Sequence, residues 1–374
     1  MSAKVSVIPE TVERVKGDHW KNANGTAFVN PWLSFKPISA KDLASGMRKD
    51  DPILKKAKQV IPHVIPTFGQ DLSPAQIRST WLGHACVLIE MPTIGEKSSR
   101  GVRVLFDPVL GEGMAFLGLG PKRESTSPCN IKDIPQIDAI AISHNHYDHL
   151  DLPTLTELFA VQKSQYGAEP LLFLPLNNWR TVSGLGVARE RVIEMDWWEE
   201  RTIVVEGVGS TKIICTPAQH ASARTPFDKD KSLWSSWALK DEAGASVWFG
   251  GDTGYCTMHI DSHSLDDLPK GGVCPAFKEI GERLGPFTLG LIPIGAYDPR
   301  IAMSPLHAAP IDSVRMYTDT KCQNAVAIHW GTFRMTPEDF DEPPRFLEDA
   351  KKKVGLQDES FQVCAIGESR GFSV

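Results

Sequence analysis

The chain has 374 residues, 41% of them hydrophobic, with a net charge of −6 and a pI near 6.0. This length and apolar share suit one large α/β domain, or such a domain with an extension. The acidic balance argues against a broad nucleic-acid-binding face. The seven dispersed cysteines contain no CxxC pair and read as reduced thiols of an intracellular protein. No apolar run reaches the ~18 residues of a transmembrane helix.

In chain order, residues 1–72 are polar and proline-bearing and read as an N-terminal extension on a main domain of residues 73–374. Glu10, Glu13 and Asp18 leave residues 1–20 without the pattern of a secretory signal or transit peptide. Asn30-Pro31-Trp32 and Phe35 read as anchors on the main body, and the mixed-charge stretch 48–58 as a solvated face. Alternation and β-rich runs predict strands at 78–91, 102–107, 137–143, 171–174, 202–206, 211–216, 232–239, 246–250, 288–294 and 325–329. Helices are predicted at 152–162, 177–184, 275–284, 310–318 and 343–353. The short Gly-rich apolar stretch 113–120 reads as buried, with a lipid-facing loop as the alternative. Asp151 precedes Leu152-Pro153 and reads as a helix cap.

Chemistry concentrates where strands end. The apolar run 137–142 delivers His144, His146, Asp148 and His149 within six residues, at the edge where α/β sheets place their sites. Three further runs deliver His220, Asp252 and His329, each beside small or turn-forming residues. Imidazole and carboxylate suit zinc and its neighbours. The expected partition puts His144, His146 and His220 on one ion, and Asp148, His149 and His329 on a second. Asp252 bridges, because a carboxylate can span two ions and a neutral imidazole cannot. An open position for hydroxide remains. Asp107 reads equally as a carboxylate orienting a ligand histidine or as a turn residue, and His84 as support for the sheet.

The HxHxDH run, with His, Asp and His following at strand ends, resembles the ligand set of the metallo-β-lactamase superfamily. Longer blocks narrow the resemblance. Trp81-Leu82-Gly83-His84-Ala85, Gly120-Pro121-Lys122-Arg123, Asp196-Trp197-Trp198-Glu199-Glu200, 251–256, 292–297 and His329-Trp330-Gly331-Thr332-Phe333 are similar to the N-acylphosphatidylethanolamine-hydrolysing phospholipase D family. The resemblance implies a four-layer αββα sandwich with an N-terminal extension. It also implies two Zn²⁺, with another divalent metal as the alternative. The implied activity releases an N-acylethanolamine and phosphatidic acid from the phospholipid. Asp252 and His307 would be catalytic, His307 as a donor to phosphate or to the leaving oxygen. Lys122 and Arg123 would hold the substrate phosphate, against the plainer reading of solvated cations. The implied partners are a phospholipid and a peripheral membrane surface, without nucleic acid, and a homodimer is compatible. Two departures bear on substrate access: an insertion at 257–274, and Ala221 where the animal enzymes tend to carry a bulky aromatic. The rival readings are a lactonase or other hydrolase on the same scaffold, and a membrane-binding scaffold with a structural metal site.

Overall fold

The computed structural model describes residues 4–8, 14, 16–37, 61–93, 98–113, 121–264, 267, 269 and 271–374. The charged stretch 48–58 and nearly all of the apolar stretch 113–120 lie outside the described residues. Among the described residues the strands run β1 Val5–Val7, β2 Ile77–Trp81, β3 Val87–Glu90, β4 Arg103–Phe106 and β5 Ala139–Ala141. They continue with β6 Leu171–Pro175, β7 Val192–Met195, β8 Glu200–Val205, β9 Gly209–Thr216 and β10 Ser236–Lys240. The last are β11 Ser246–Phe249, β12 Phe287–Pro293, β13 Cys322–Ile328, β14 Phe361–Gln362 and β15 Ser369–Phe372. The helices are α1 Leu152–Tyr166, α2 Trp179–Val182, α3 Ala276–Arg283, α4 Arg300–Met303, α5 Pro310–Asp319 and α6 Glu342–Val354.

Two mixed sheets result. One has eight strands in the order β1-β8-β9-β10-β11-β12-β13-β14, the other seven in the order β15-β2-β3-β4-β5-β6-β7. Period-two alternation sorts the side chains of the smaller sheet. Val104, Phe106, Ala139, Ala141 and Phe173 join the main core between the sheets, while Leu105, Ile140, Leu172 and Leu174 face outward with Leu155 and Leu158 of α1. Phe106 stacks on Phe249 of the other sheet, with ring centroids 4.5 Å apart. Emptying such a position to alanine costs about 3–5 kcal/mol. Helix α5 packs against both α3 and α6 and lies on β12 and β13, so that helices cover the larger sheet. The expected αββα sandwich is therefore the fold.

Several predicted boundaries move. The run 78–91 is a hairpin rather than one strand, because Gly83 and His84 take positive φ values of 99° and 50° and the Cys86 amide closes a turn onto the Gly83 carbonyl. The strand expected at 232–239 starts only at Ser236; before it, the Leu233 and Ser235 amides are spent on the Leu176 and Ser143 carbonyls. The helix expected at 177–184 is four residues long and continues as a 3₁₀ turn over Ser183–Leu185. Asp151 caps α1, its carboxylate accepting from the Thr154 amide, with Pro153 in the first turn. In the described part of the 257–274 insertion, Thr257 Oγ1 donates to the Ser34 carbonyl at 2.7 Å, and His263 lies against Tyr297 and Phe346 at 5.4 and 5.2 Å.

The described N-terminal segment divides. Residues 61–72 pack by β15 and β2 of the smaller sheet, the Gly69 amide reaching Ser369 Oγ at 3.1 Å. Residues 4–37 lie along the larger sheet and toward its strand ends. β1 pairs antiparallel with β8. Asp196 accepts from His19 at 2.7 Å and from the Trp20 indole at 2.9 Å, and Trp32 stacks on Trp197 at 5.3 Å. The segment then reaches the strand ends: Asn30 Nδ2 donates to the His220 carbonyl at 2.8 Å, and Ser34 Oγ to Gln219 Oε1 at 2.7 Å.

Candidate metal centre

Four strand ends converge on one point. The loop after β5 carries His144, His146, Asp148 and His149; those after β9, β11 and β13 carry His220, Asp252 and His329. Gly251, at φ +63°, lets the Asp252 turn press against Ser143: a Cβ there would lie 2.7 Å from the serine Cβ. A Cβ on Gly254 would lie 2.4 Å from the Pro305 carbonyl carbon, so glycine also admits the segment that brings His307 in.

The seven side chains expected as ligands come together in two groups. In the first, His146 Nδ1 lies 2.8 Å from His144 Nε2 and 3.2 Å from His220 Nε2. In the second, His149 Nε2 lies 3.3 Å from His329 Nε2 and 3.4 Å from Asp148 Oδ2. Asp252 Oδ2 stands between them, 3.4 Å from His220 Nε2, 3.4 Å from His329 Nε2 and 3.9 Å from His149 Nε2.

Outer contacts fix which ring nitrogens are bare. His220 Nδ1 donates to the Leu306 carbonyl at 2.9 Å, so its Nε2 carries a lone pair into the group. His149 Nδ1 donates to Asp107 Oδ2 at 2.7 Å, and Asp107 in turn accepts from the Ser143 amide and hydroxyl at 2.7 and 2.6 Å. This is the carboxylate–histidine arrangement that orients metal-bound imidazoles. Bare nitrogens and carboxylate oxygens converging at about 3 Å repel one another unless a cation sits among them. The residues present therefore fit divalent ions that favour nitrogen and oxygen donors.

The electrostatics agree. Burial pushes His146 down to about 4 and His84 and His220 down to about 3, and holds His144 well below its usual range. Of these, His144, His146 and His220 are candidate ligands, and a neutral imidazole is the form that binds a metal. Burial works against the charged forms of Asp148 and Asp252, but the facing imidazoles outweigh it and keep both carboxyls far below their usual range. Burial also opposes a charge on His149, yet Asp148 and Asp107 overcome it and raise this group well above normal. Positive charge is wanted at that point.

The remaining candidates fall around the centre. His307 Nδ1 lies 3.1 Å from Asp252 Oδ1, aligned too poorly for a hydrogen bond, and neither atom has another partner. Burial lowers its pKa, but the Asp252 charge outweighs this and raises it. Lys122 and Arg123 do not join the cluster. They line a cavity of about 540 Å³ with Ser125, Thr154 and Glu157. Arg123 donates to the Val109 carbonyl at 2.7 Å and lies over Phe333 at 5.6 Å; Phe333 in turn meets the edge of His84.

Two participants escaped the sequence reading. His84 does more than support the sheet: its Nε2 lies 2.9 Å from Asp148 Oδ2, and its carbonyl accepts from the His329 amide. The Gly-His pair interrupting an apolar alternation was the available signal. Arg224 braces the histidine loop, donating to the Asn145 and Leu150 carbonyls at 2.9 Å each and lying 3.9 Å over the Tyr147 ring. No local pattern marks it.

A sequence profile described as the β-lactamase superfamily domain matches residues 102–330. The N-acyl-phosphatidylethanolamine-hydrolyzing phospholipase D 1 of Caenorhabditis elegans is 34% identical over 323 residues, spanning 84% of this chain and 82% of its own. The mitochondrial N-acyl-phosphatidylethanolamine-hydrolyzing phospholipase D of Saccharomyces cerevisiae is 32% identical, the match spanning 79% of this chain and 57% of that longer protein. Among solved structures, an isothiocyanate hydrolase from Delia radicum gut bacteria superposes with a TM-score of 0.53 at 16% identity. That match covers 79% of this chain and all of the hydrolase, a likeness of fold.

Proposed function

This chain belongs to the N-acylphosphatidylethanolamine-hydrolysing phospholipase D family of the metallo-β-lactamase superfamily, whose members are metal-dependent hydrolases, and on that premise we propose its substrate and mechanism. The substrate is N-acylphosphatidylethanolamine; the products are an N-acylethanolamine and phosphatidic acid. His144, His146 and His220 would hold one ion and Asp148, His149 and His329 another, with Asp252 shared between the two groups. Two zinc ions so held supply Lewis-acid stabilisation of the phosphoryl oxygens and a water made nucleophilic at neutral pH. The observation that supports this reading best is the contact of one Asp252 oxygen with both histidine groups, at 3.4 Å on each side.

The protein side chains hold the rest of the reaction. Asp107 and the Leu306 carbonyl fix the His149 and His220 tautomers. His307, whose pKa the facing Asp252 raises, is the side chain placed to deliver a proton to the departing N-acylethanolamine oxygen. Arg123, over Phe333, and Lys122, in the adjoining cavity, add positive charge rather than a direct contact. Residues 1–72 act as an extension of the hydrolase domain rather than as a separate unit. No helix among the described residues is long and apolar enough to cross a membrane. We assign the protein a peripheral, intracellular membrane surface and leave a homodimer compatible.

Turnover in ¹⁸O-water separates this reading from its rivals. Attack on phosphorus puts the label in phosphatidic acid. Label in a freed fatty acid, or turnover of lactones alone, would hand the site to a carbonyl hydrolase. Elemental analysis of protein kept from chelators should give two metal ions per chain; a single ion with full activity would exclude the paired site. Absence of all turnover from metal-loaded protein would favour a scaffold.

A further inference from the structure

A second cavity opens beside the centre. It is a groove of about 460 Å³, within the size range of ligand sites. Val29, Phe35 and Pro37 of the N-terminal segment form one wall. Ala221 and Leu306, each next in sequence to a histidine of the centre, form the other. The groove is tied to the site by its own lining: Asn30 donates to the His220 carbonyl, and the Leu306 carbonyl accepts from His220 Nδ1. Its polar members are Lys21, Asn30, Lys229 and Asp230.

The segments that wall the groove also carry apolar side chains held out in solvent. Leu33 is 86% exposed and Phe227 83%. Single exposed apolar residues are ordinary. Here two large ones sit on two segments that meet at one groove, and Lys21, Lys36, Lys229 and Lys231 on the same segments are exposed. Apolar tips among lysines suit a lipid–water interface.

We propose that this groove seats one acyl chain of the lipid substrate, drawn past Leu33 and Phe227, and that the small Ala221 side chain keeps it open. The inference rests on the phospholipase D reading above and adds to it the residue that sets chain preference. Ala221 and Leu306 each flank a histidine of the centre, which sets the groove directly beside it. A larger side chain at 221 projects into the groove. The chain is either the N-acyl chain or one of the glycerol esters.

The test measures kcat/KM in neutral detergent micelles for two lipid series. One varies the N-acyl length on a fixed diacylglycerol; the other varies the glycerol chains with a fixed N-acyl group. In the wild type, one series should rise by up to about fourfold per methylene while the groove fills, the equivalent of about 0.8 kcal/mol each. In Ala221→Trp the long-to-short ratio in that series should fall by about tenfold or more, and the affected series identifies the chain. The ratio is taken within one variant, so partial folding or metal loss cancels. Val29→Trp blocks the opposite wall and carries the same expectation if Ala221→Trp does not fold. A wild type that turns over lipid with a flat profile in both series overturns the groove alone, as does a wild-type ratio in both variants. A wild type that turns over neither series defeats the phospholipase reading itself.

Discussion

At the scale of single residues, the clustering of the candidates was legible because metal-ligand residue types stand at strand ends. The seven candidates came from four short runs, and the structure gathers them into overlapping groups whose ligand atoms lie within 4.8 Å of one another. What stayed hidden were residues that act through a ligand. Asp107 could be read as a turn or as an orienting carboxylate, and only the 2.7 Å contact to His149 Nδ1 separates the two. Replacing Asp107 by Asn keeps the shape and one acceptor but removes the charge that fixes the His149 tautomer. Metal affinity should fall by about 10- to 100-fold with the fold retained, as read by competition against a chromophoric chelator. Wild-type affinity would mean that Asp107 only ends β4.

At the scale of elements, strongly periodic segments were read well and edges poorly. Helix α1 was anticipated from its cap and proline. By contrast β7, an edge strand paired with β6 and with two of its four side chains only partly buried, has no long apolar run to mark it. The two-residue β14 and the terminal β15 are too short or too polar to stand out. The β2–β3 hairpin was missed because both faces of these strands are buried, which removes alternation, and the turn glycine was the only cue. The α1 cap allows a clean test. Asp151 satisfies the Thr154 amide, so Asp151→Ala should cost about 1 kcal/mol as a lower denaturant midpoint with an unchanged slope. Activity well below the transition should hold, since Asp151 touches no residue of the cluster. A loss of activity without a shift in midpoint would assign the residue to the site instead.

At the scale of the whole molecule, the layer architecture followed from mixed strands and helices together with the family resemblance, but the pairing of distant segments did not. His19 and Asp196 are 177 positions apart, and no single-sequence period links them. Yet this contact anchors the N-terminal segment whose Asn30 and Ser34 hold the His220 carbonyl and the Gln219 side chain. Asp196 accepts from His19, Trp20 and the Trp197 amide at 2.7, 2.9 and 2.8 Å. Asp196→Ala strands buried donors, each costing about 1–3 kcal/mol where water cannot replace the acceptor. The loss should be largest at the segment itself and pass to the loop it supports. Hydrogen exchange should therefore quicken at residues 19–35 and at 218–221, while α1, which packs on the other sheet, exchanges as in the wild type. Faster exchange at 19–35 with full protection at 218–221 would show that the His220 loop stands without this support. Uniform quickening across both sheets would instead make the segment part of the global folding unit.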